Sequence, residues 1–406
     1  MSLEKARALD AADPLAHTRD RFTLPNGIIY LDGNSLGALP KDAPARLADV
    51  VERQWGADLI TSWNKHGWID WPHRVATKLA PIVGAKPSEL LIADSTSVCL
   101  FKLIVAAFIA RPDRRVILTE RGNFPTDNYV MQGIARMLPQ AELRIVDRVE
   151  LLDAIGSETA VLSLTHSDYL DGERHDLAAL THAANAAGAL AVWDMSHSAG
   201  VLDLNLNGSG CQMAVGCGYK YLNGGPGAPA WIYVAEQLQA ALESPLSGWM
   251  GHADPFAFAA EYAPAEGIRR FLTGTPSILA LAALDAGLDT FTGLDMPLVE
   301  AKAEALTGFF VDCVELGCGI DLTPQRNRGR RGGHVVVPHR HGYAVMQALI
   351  ARGVIGDFRA PDLMRFGFAP LYNRFEEAWR AAETLRDILD SEAWNEPHFL
   401  ERRAVT

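Results

Sequence analysis

The feature that most constrains the fold is an alternation of short apolar segments with helical ones over residues 115–236. Each apolar segment is bounded by polar or glycine residues, which is typical of strands buried on both faces of a sheet. The segments are RVILTE (115–120), ELRIVD (142–147), AVLSLTH (160–166), LAVWDMSH (190–197), QMAVGCGYK (212–220) and AWIYVAE (230–236). Between the third and fourth, residues 176–188 predict a helix that begins after Asp176 and stops at Gly188. Such a helix makes a right-handed crossover between parallel strands.

The residues beyond this alternation predict a second, smaller unit. With 406 residues, of which 49% are hydrophobic, the chain is long enough for two or three domains. A helix-rich stretch at 276–316 and a mixed pattern at 332–354 are typical of an α+β unit. We therefore predict an α/β protein with a large, mainly parallel domain over 46–285 and a small C-terminal α+β domain over 286–406. An N-terminal segment, 1–45, is expected to pack with the small domain.

Charge and hydropathy argue against several kinds of partner. The net charge of -12 disfavours nucleic acid, because a protein that binds phosphates needs a basic surface. The longest apolar run, at 98–110, is interrupted by Lys102. It is far shorter than the roughly 20 residues that span a bilayer, so we interpret it as a buried helix. The charged start, at 1–14, lacks the apolar core of a secretory signal. We expect a cytoplasmic protein whose ligands are small molecules.

The cysteines predict free thiols and no disulfide framework. Their number is odd and none of them forms a C-x-x-C pair, which fits a reducing compartment. They are Cys99, Cys211, Cys217, Cys313 and Cys318. No metal site is predicted.

Three residues with catalytic potential fall where predicted strands end. In open α/β sheets, ligands bind beyond the carboxyl ends of the strands. Asp194 and His197 end one apolar segment, and Lys220 ends another inside GCGYKYLNGGPG (216–227). The glycines let the backbone approach a ligand closely, and the apolar flanks desolvate the amine, which favours the uncharged form that Schiff-base chemistry requires. Asp194 alone is more typical of a helix cap or a surface charge, so it gains meaning only beside the lysine.

A lysine and a carboxylate in this arrangement predict pyridoxal 5'-phosphate as the cofactor. Its pyridine nitrogen must keep a proton if the ring is to act as an electron sink. Thr96 and Ser97 precede an apolar helix and are candidate phosphate donors. Phe124 offers an apolar face with Asp127 nearby, and Arg365 is a candidate fork for a substrate carboxylate. Each feature alone is ordinary for a helix cap, a core residue or a surface arginine, and only the combination is specific.

Segments over nearly the whole chain match the motifs of one enzyme family. They are IIYLDGNSLGALP (28–40), FPTD (124–127), WDMSHSAG (193–200), GCGYKYLNGGPG (216–227), GWMGH (248–252), RFLTGTPSI (270–278) and GVIGDFRAPDLMRFGFAPLYN (353–373). On these motifs the chain resembles the bacterial kynureninases, which are fold-type-I pyridoxal-phosphate enzymes. The first and last segments are narrower signals than the Asp–Lys pair, which cysteine desulfurases and many aminotransferases share.

The resemblance implies a role for each matching residue. Lys220 matches the lysine that binds the cofactor covalently, and Asp194 matches the partner of the pyridine nitrogen. Trp249 and Thr275 match residues that reach the cofactor of the opposite subunit, which implies a homodimer with shared active sites. The other implied contacts are His197 beside the ring oxygen, Thr96, Ser97 and Tyr219 on the phosphate side, Phe124 stacked on the ring, Asp127 and Thr165 close to the cofactor, and Arg365 at the substrate α-carboxylate.

The reaction that the resemblance implies is hydrolysis of L-kynurenine to anthranilate and L-alanine by Cβ–Cγ cleavage. Lys220 would remove the Cα proton while Asp194 keeps the pyridine nitrogen protonated. Tyr219 would either act as an acid–base group at the hydrated carbonyl or orient the phosphate. The implied pathway is tryptophan catabolism.

The substrate pocket is expected to include residues from two distant segments. Trp63 or Trp68 is a candidate wall for an aromatic substrate. Gly274, next to Thr275, resembles the bacterial form of the family, which favours the unsubstituted ring, whereas other members carry Ser-Asn there. We therefore expect Gly274 at the pocket edge and 3-hydroxykynurenine as the poorer substrate.

One segment departs from the family pattern. THSDYLDGERHD (165–176) has Asp168, Leu170 and Asp171 where similar proteins commonly show an amide, a basic residue and a threonine. We expect this extra acidity to weaken anion binding there or to shift substrate preference.

Two other functional classes stay open from the residues alone. Another fold-type-I enzyme, such as a cysteine desulfurase or an aminotransferase, would share Asp194 and Lys220. A desulfurase should also present a cysteine on a mobile loop, and Cys313 and Cys318 give no clear sign of one. A non-catalytic cofactor-binding protein would be expected to have lost the lysine or its supporting residues, and all are present.

Overall fold

The computed structural model describes residues 1–402 as an α/β protein with one large and one small sheet and two short strand pairs. The strands are β1 (Phe22–Thr23), β2 (Ile29–Tyr30), β3 (Leu39–Pro40), β4 (Leu90–Ala93), β5 (Val116–Glu120), β6 (Glu142–Val146), β7 (Thr159–Thr165), β8 (Leu190–Asp194), β9 (Met213–Gly216), β10 (Ala230–Val234), β11 (His334–Pro338), β12 (Val354–Ile355), β13 (Asp357–Arg359) and β14 (Leu363–Gly367).

Helices cover both faces of the large sheet and flank the small one. Within the described residues they are α1 (Leu3–Ala11), α2 (Ala43–Asp49), α3 (Ser62–Lys65), α4 (Trp71–Val83), α5 (Thr96–Ile109), α6 (Pro125–Met137), α7 (Leu151–Ala154), α8 (Leu177–Ala186), α9 (Glu236–Gln239), α10 (Ile278–Asp289), α11 (Met296–Cys318), α12 (Gly342–Ala351), α13 (Phe375–Ser391) and α14 (Pro397–Leu400).

The large sheet has seven strands in the order β4-β10-β9-β8-β7-β5-β6. Strands β5 to β9 pair in parallel, which confirms the mainly parallel sheet. The predicted strand at 230–236 is present as β10, which runs antiparallel to both β9 and β4. The loop from Gly216 to Ala230 carries no crossover helix, so the chain reverses there, as antiparallel neighbours permit.

The predicted crossover helix is present as α8. The Asp176 side chain accepts a hydrogen bond from the Ala179 amide at 2.9 Å, so it caps the helix as expected. Gly188 follows the helix with a φ of 82°, which an L-residue adopts only with strain. The long apolar run also forms the buried helix that was expected, as α5, and Lys102 on it is fully buried.

The small sheet has the order β11-β14-β13 and presents two different faces. Side chains alternate across a strand, so neighbours in sequence point to opposite sides. Val335, Val337, Met364 and Phe366 point into a hydrophobic cluster that also contains residues of α11, α12 and α13, together with Ala6 and Leu31. The opposite face carries the polar side chains His334, Asp357, Arg359 and Arg365.

Candidate active site

Lys220 lies in the turn that follows β9, and its amine contacts His197. The Lys220 Nζ to His197 Nε2 distance is 2.9 Å. Burial, and then the charge of Lys220, hold the pKa of His197 well below its ordinary value. The ring is therefore neutral at pH 7 and its Nε2 can accept a hydrogen bond from the lysine. The rings of Phe124 and Tyr219 each lie 6.0 Å from Nζ, so the amine faces aromatic surface as well.

Two buried carboxyl groups, those of Asp127 and Asp194, share one part of the site. Asp194 ends β8 and accepts a hydrogen bond from the Ser196 amide at 2.7 Å. Asp127 lies in the first turn of α6 and accepts one from Thr165 Oγ1 at 3.3 Å. Burial, and then the charge of Asp194, raise the pKa of Asp127 well above its ordinary value, and burial raises the pKa of Asp194 too. A cationic ring nitrogen beside such a pair would gain a buried counter-charge.

Asn123 fixes the loop that carries the aromatic face. Its Oδ1 accepts hydrogen bonds from the amides of Phe124 and Thr165, at 2.9 and 3.0 Å, and from Thr165 Oγ1 at 2.5 Å. The Phe124 ring meets Tyr169 edge to face, with ring centroids 5.2 Å apart. Sequence reasoning did not single out Asn123, although it stands next to Phe124 in the same motif. The role of Asn123 is visible only once the fold brings Thr165 next to its Oδ1 atom.

The first turn of α5 has the geometry that binds anions. Thr96 and Ser97 begin this 14-residue helix, and both are half-buried. The backbone amides of a first turn have no acceptor within the helix, and the helix dipole adds positive potential there. Ser95, the N-cap, makes no capping hydrogen bond with its side chain. The donors and the charge expected for a phosphate are therefore present.

Arg365 projects from the polar face of the small sheet and is almost fully buried. Its Nε donates to Asp357 Oδ1 at 2.7 Å, Nη2 contacts the other carboxylate oxygen, and Nη1 donates to the Tyr169 carbonyl at 2.6 Å. Burial would raise the pKa of Asp357, but the hydrogen bonds and charge of Arg365 outweigh it and hold that pKa low. Ser35 Oγ and Arg359 also bond to Asp357, so the guanidinium is held in a fixed orientation.

His334 and Asn34 are buried polar residues in this region that sequence reasoning missed. The His334 ring lies 5.6 Å from the His197 ring, centroid to centroid, and neither of its nitrogens has a hydrogen-bond partner among the described residues. The Asn34 amide is likewise unpartnered there and packs on Gly367, where a Cβ would lie 1.9 Å from Asn34 Oδ1. Buried polar groups in native proteins nearly always have partners, so both groups point to a bound ligand or water. The only sequence signal was the LDGNSLG motif around Asn34.

The residues expected from the opposite subunit lie apart from Lys220 in this chain. Trp249 is 38% exposed, and its ring stacks on the exposed Phe258. Gly274 and Thr275 are exposed and line a cavity of about 210 Å³, and nothing lies within 4 Å of a Cβ placed on Gly274. Within residues 1–402, no hydrogen bond or ring contact joins these residues to Lys220.

Of the two tryptophans considered for the pocket wall, Trp68 is a core residue. It is buried and donates from Nε1 to Gln54 Oε1 at 2.7 Å. Trp63 is only partly buried and meets Trp68 edge to face at 5.9 Å. Trp63 therefore has the free surface that a wall would need.

In the segment that departs from the family pattern, the Asp168 side chain bonds to the backbone of its own loop. Asp168 Oδ1 accepts hydrogen bonds from the amides of Leu170 and Asp171, at 2.6 and 3.3 Å. Burial, and then the charge of Asp171, raise the pKa of Asp168 to about 6. The neighbouring Tyr169 is the residue of this loop that contacts both Phe124 and Arg365. The loop thus connects the two halves of the site.

Membrane-spanning helices and metal-binding clusters are both absent from the described residues. No helix among residues 1–402 is both long enough and apolar enough to cross a membrane. Among the same residues, no group of three or more His, Cys, Asp or Glu side chains is placed to hold a metal ion.

All five cysteines carry free thiols, as predicted from the sequence. Four of them are buried and Cys318 is half-buried. Burial raises the pKa of each thiol. None of them has the exposed, low-pKa environment of a reactive cysteine. The feature expected of a desulfurase is therefore missing.

Solved structures identify the class of fold. A cysteine desulfurase from Thermococcus onnurineus NA1 superposes with a TM-score of 0.77 at 20% identity, covering 93% of this chain and 98% of that chain. The cystine C-S lyase C-DES, in complex with its product cysteine persulfide, gives 0.77 at 17% identity over 89% of this chain and 98% of that one. At such identities the likeness shows the fold alone, which is that of the fold-type-I pyridoxal-phosphate enzymes.

Sequence relatives identify the family. Kynureninase from Burkholderia mallei (strain SAVP1) is 50% identical over 412 residues, covering 99% of each chain. Kynureninase from Pseudomonas fluorescens is 48% identical over 408 residues, covering 98% of each. The profile of the kynureninase C-terminal domain matches residues 299–385. The chain belongs to the kynureninase family.

Proposed function

We propose that this protein is a pyridoxal-phosphate-dependent enzyme that hydrolyses L-kynurenine to anthranilate and L-alanine. The observation that carries the proposal is the contact between the Lys220 amine and the neutral ring of His197, beside the Asp127–Asp194 carboxyl pair. The choice of reaction is supported by relatives named kynureninase, which are about half identical to this chain over its full length. Cysteine desulfurases and aminotransferases are not favoured, because the family relationship is with kynureninases.

The residues of the site fit the cofactor by their chemistry. Lys220 would hold it covalently, and the two buried carboxyl groups, whose pKa values burial raises, would give a protonated pyridine nitrogen its counter-charge. The first turn of α5, with Thr96 and Ser97, would hold the phosphate. The other contacts proposed are Phe124 against the ring, His197 at the ring oxygen, Thr165 behind Asp127, and Tyr219 on the phosphate side. When bound, the cofactor supplies an electron sink for negative charge at the substrate Cα.

Each side chain then has a defined task in the reaction. Arg365, held by Asp357, binds the substrate α-carboxylate with its remaining N–H groups and aims the Cα–H bond at Lys220. Lys220, freed when the substrate amine takes its place on the cofactor, would then remove the Cα proton as general base. Asp194 holds the proton on the ring nitrogen. Tyr219 moves a proton at the side-chain carbonyl that water attacks before the Cβ–Cγ bond breaks.

We also propose that the active unit is a cytoplasmic homodimer with shared sites. The exposed ring of Trp249 and the exposed Gly274 and Thr275 support this, because they have no contact with Lys220 of their own chain and would be free to reach a partner's site. In the proposed division of the chain, segment 1–45 packs with a small domain over 286–406, beside a large domain over 46–285. The packing of Ala6 and Leu31 against the small sheet supports that division. The last four residues of the chain lie outside the described residues.

Product analysis tests the proposed reaction directly. Purified protein loaded with pyridoxal phosphate is incubated with L-kynurenine, and anthranilate and alanine are quantified. We expect the two products in equal amounts. A variant with Lys220→Ala is the matched control and should form neither product. Formation of alanine from cysteine with release of sulfur, and no anthranilate, would instead identify a desulfurase.

A further inference from the structure

Lys102 is a charged residue inside an otherwise apolar helix. It lies on α5, and its side chain is completely buried. Its Nζ lies 2.5 Å from Asp94 Oδ2 and donates to the Phe271 carbonyl at 2.7 Å. Burying an ammonium group is costly unless it is paired and hydrogen-bonded, and a leucine at this position would avoid that cost. The contacts of Lys102 therefore call for a functional explanation.

The first partner of Lys102 is in the turn that leads into the anion site. Asp94 follows β4 and precedes Thr96 by two residues. Its φ is 45°, in the left-handed region that favours glycine, so a non-glycine residue is strained there. Its carbonyl accepts a hydrogen bond from the Ala230 amide at 3.0 Å. The ion pair with Lys102 holds the side chain of this strained residue, and with it the entry to α5.

The second partner of Lys102 leads into the segment with Thr275. Phe271 is fully buried and ends a 3₁₀ turn, Gly267–Phe271. Residues 272–277 follow directly, and Asp94 lines the same cavity of about 210 Å³ as these residues. One buried ammonium thus bonds to Asp94, which lines the cavity, and to Phe271, which directly precedes the lining segment 272–277.

We infer that Lys102 is a positioning residue that ties the phosphate turn of its own active site to the 272–277 segment that serves the partner's site. The inference rests on the proposed function, because it takes the phosphate at the start of α5 and Thr275 in the opposite subunit. Through its bond to Asp94 it sets how tightly its own chain holds the cofactor. Through its bond to Phe271 it sets how the partner's site holds the substrate at Gly274 and the cofactor at Thr275.

The variant that tests this link replaces both charges at once. Lys102→Met with Asp94→Gly leaves no unpaired buried charge, and glycine accepts the φ of 45° without strain. Asp94→Gly alone is the second variant, since Lys102 keeps its bond to the Phe271 carbonyl. Lys78→Met is the matched control, because Lys78 pairs with Asp285 and Asp289 at a half-exposed site away from this cavity.

Cofactor release from the holoenzyme homodimer is the first measurement. Absorbance of free pyridoxal phosphate is followed after transfer to cofactor-free buffer. We expect release to be about tenfold faster, or more, in the double variant, because a charge-assisted bond to the phosphate turn is lost, and unchanged in Lys78→Met. Release within twofold of the parent, in a variant with a native circular dichroism spectrum, would overturn the inference. This measurement tests the role of Lys102 in its own chain's site, so it is decisive whether or not the two sites are shared.

Mixed dimers separate the two ends of the link. In each mixed dimer, one chain carries Lys220→Ala, so only the other chain's site is active. With the double variant placed on the Lys220→Ala chain, we expect a raised KM for L-kynurenine at the active site. On the other chain, we expect faster loss of activity and an unchanged KM. The same effect in both placements would mean that Lys102 only stabilises the fold, which would overturn the inference.

A mixed dimer tests the sharing itself. Lys220→Ala chains are combined with chains altered at both Trp249 and Thr275, and activity is expected to reappear. No activity in mixed dimers that demonstrably form would sink shared sites, and the homodimer release experiment would then still decide the role of Lys102 in its own site.

Discussion

The amine of Lys220 lies 2.9 Å from Nε2 of His197, and the buried ring that receives it is neutral. The pair joins the end of β8 to the turn after β9, two neighbouring parallel strands of the large sheet. A lysine amine held in this way is positioned before any ligand arrives, so little reorganisation is needed at the reacting atom.

The first prediction is that Lys220 binds the cofactor covalently. Borohydride reduction of the holoenzyme, followed by digestion and mass spectrometry, should place the label on the peptide that contains Lys220. Lys102, although buried, should stay unlabelled because Asp94 and the Phe271 carbonyl occupy its amine. A label on any lysine other than Lys220 would refute the assignment.

The second prediction distinguishes the two buried carboxyl groups. Asp194→Asn should lower kcat by about a hundredfold or more, because the proton on the ring nitrogen loses its buried counter-charge. Burial and the charge of Asp194 raise the pKa of Asp127 well above its ordinary value, which favours its protonated form, so Asp127→Asn should cost less than about tenfold. Steady-state kinetics of the two variants, at saturating cofactor, provide the comparison. Equal losses in both variants would contradict the distinction.

The third prediction concerns stability in mild acid. Burial lowers the pKa of both His166 and His334 to about 3. Between that value and about 6.5, the ordinary histidine pKa, the unfolded chain binds protons that the folded chain does not. Stability is therefore unaffected above pH 6.5 and falls as the pH drops toward 3, with each histidine costing about 2 kcal/mol at pH 5.

The matching experiment is urea unfolding of the apoprotein at pH 7 and pH 5. His334→Gln should remove about 2 kcal/mol of the difference between the two pH values. His182→Gln, at an exposed position on α8, is the control and should leave the difference unchanged. A pH dependence that survives His334→Gln unaltered would show that this histidine is not buried in its neutral form.

The fourth prediction concerns the substrate ring. A site without a partner for a ring hydroxyl must desolvate that group and forms no hydrogen bond to compensate. L-kynurenine should therefore be preferred over its 3-hydroxy analogue. Gly274→Ser with Thr275→Asn should shift the ratio of kcat/KM toward the hydroxylated substrate by about tenfold, since open space surrounds Gly274. Gly274→Ala with Thr275→Val adds bulk without such donors and should not produce the shift. A parent enzyme that prefers the hydroxylated substrate would contradict this view of the pocket.

The fifth prediction concerns the carboxylate anchor. Arg365→Lys should raise KM for both substrates by about tenfold or more, because a lysine cannot bond bidentately to Asp357 and also reach the substrate. Thermal unfolding of the same variant reports whether the loss is one of binding alone. An unchanged KM would assign the anchor to another residue.

The sequence predicts the elements with strong periodicity and misses those that depend on distant partners. The parallel strands and α8 were predicted because apolar runs, a capping Asp176 and Gly188 are local signals. Strand β4 was not predicted, because its four residues gain their meaning from pairing with β10. The direction of β10 was not predicted, since hydrophobicity does not encode strand orientation.

The candidate site divides in the same way. Lys220, Asp194 and Phe124 stand at strand or helix ends, where motifs are visible. His334 sits in an apolar strand segment, where a single histidine is usually an ordinary core residue. Its closeness to His197 arises only when the small sheet faces the large one. Asn34 is similar, since its place over Gly367 joins residues more than three hundred positions apart.

Arg365, the proposed substrate anchor, and Lys220, the proposed base, belong to separate sheets. Arg365 lies on β14, which packs on the hydrophobic cluster of the small sheet, whereas Lys220 follows β9 of the large sheet. A small rotation of one sheet against the other would change the aim of the Cα–H bond while leaving the contacts of Lys220 with His197 intact. The hydrogen bond from Arg365 to the Tyr169 carbonyl joins β14 of the small sheet to the loop after β7 of the large sheet. A compound without an α-carboxylate would lack the contact with Arg365 that orients the Cα–H bond toward Lys220, so the proposed site would select for amino acids.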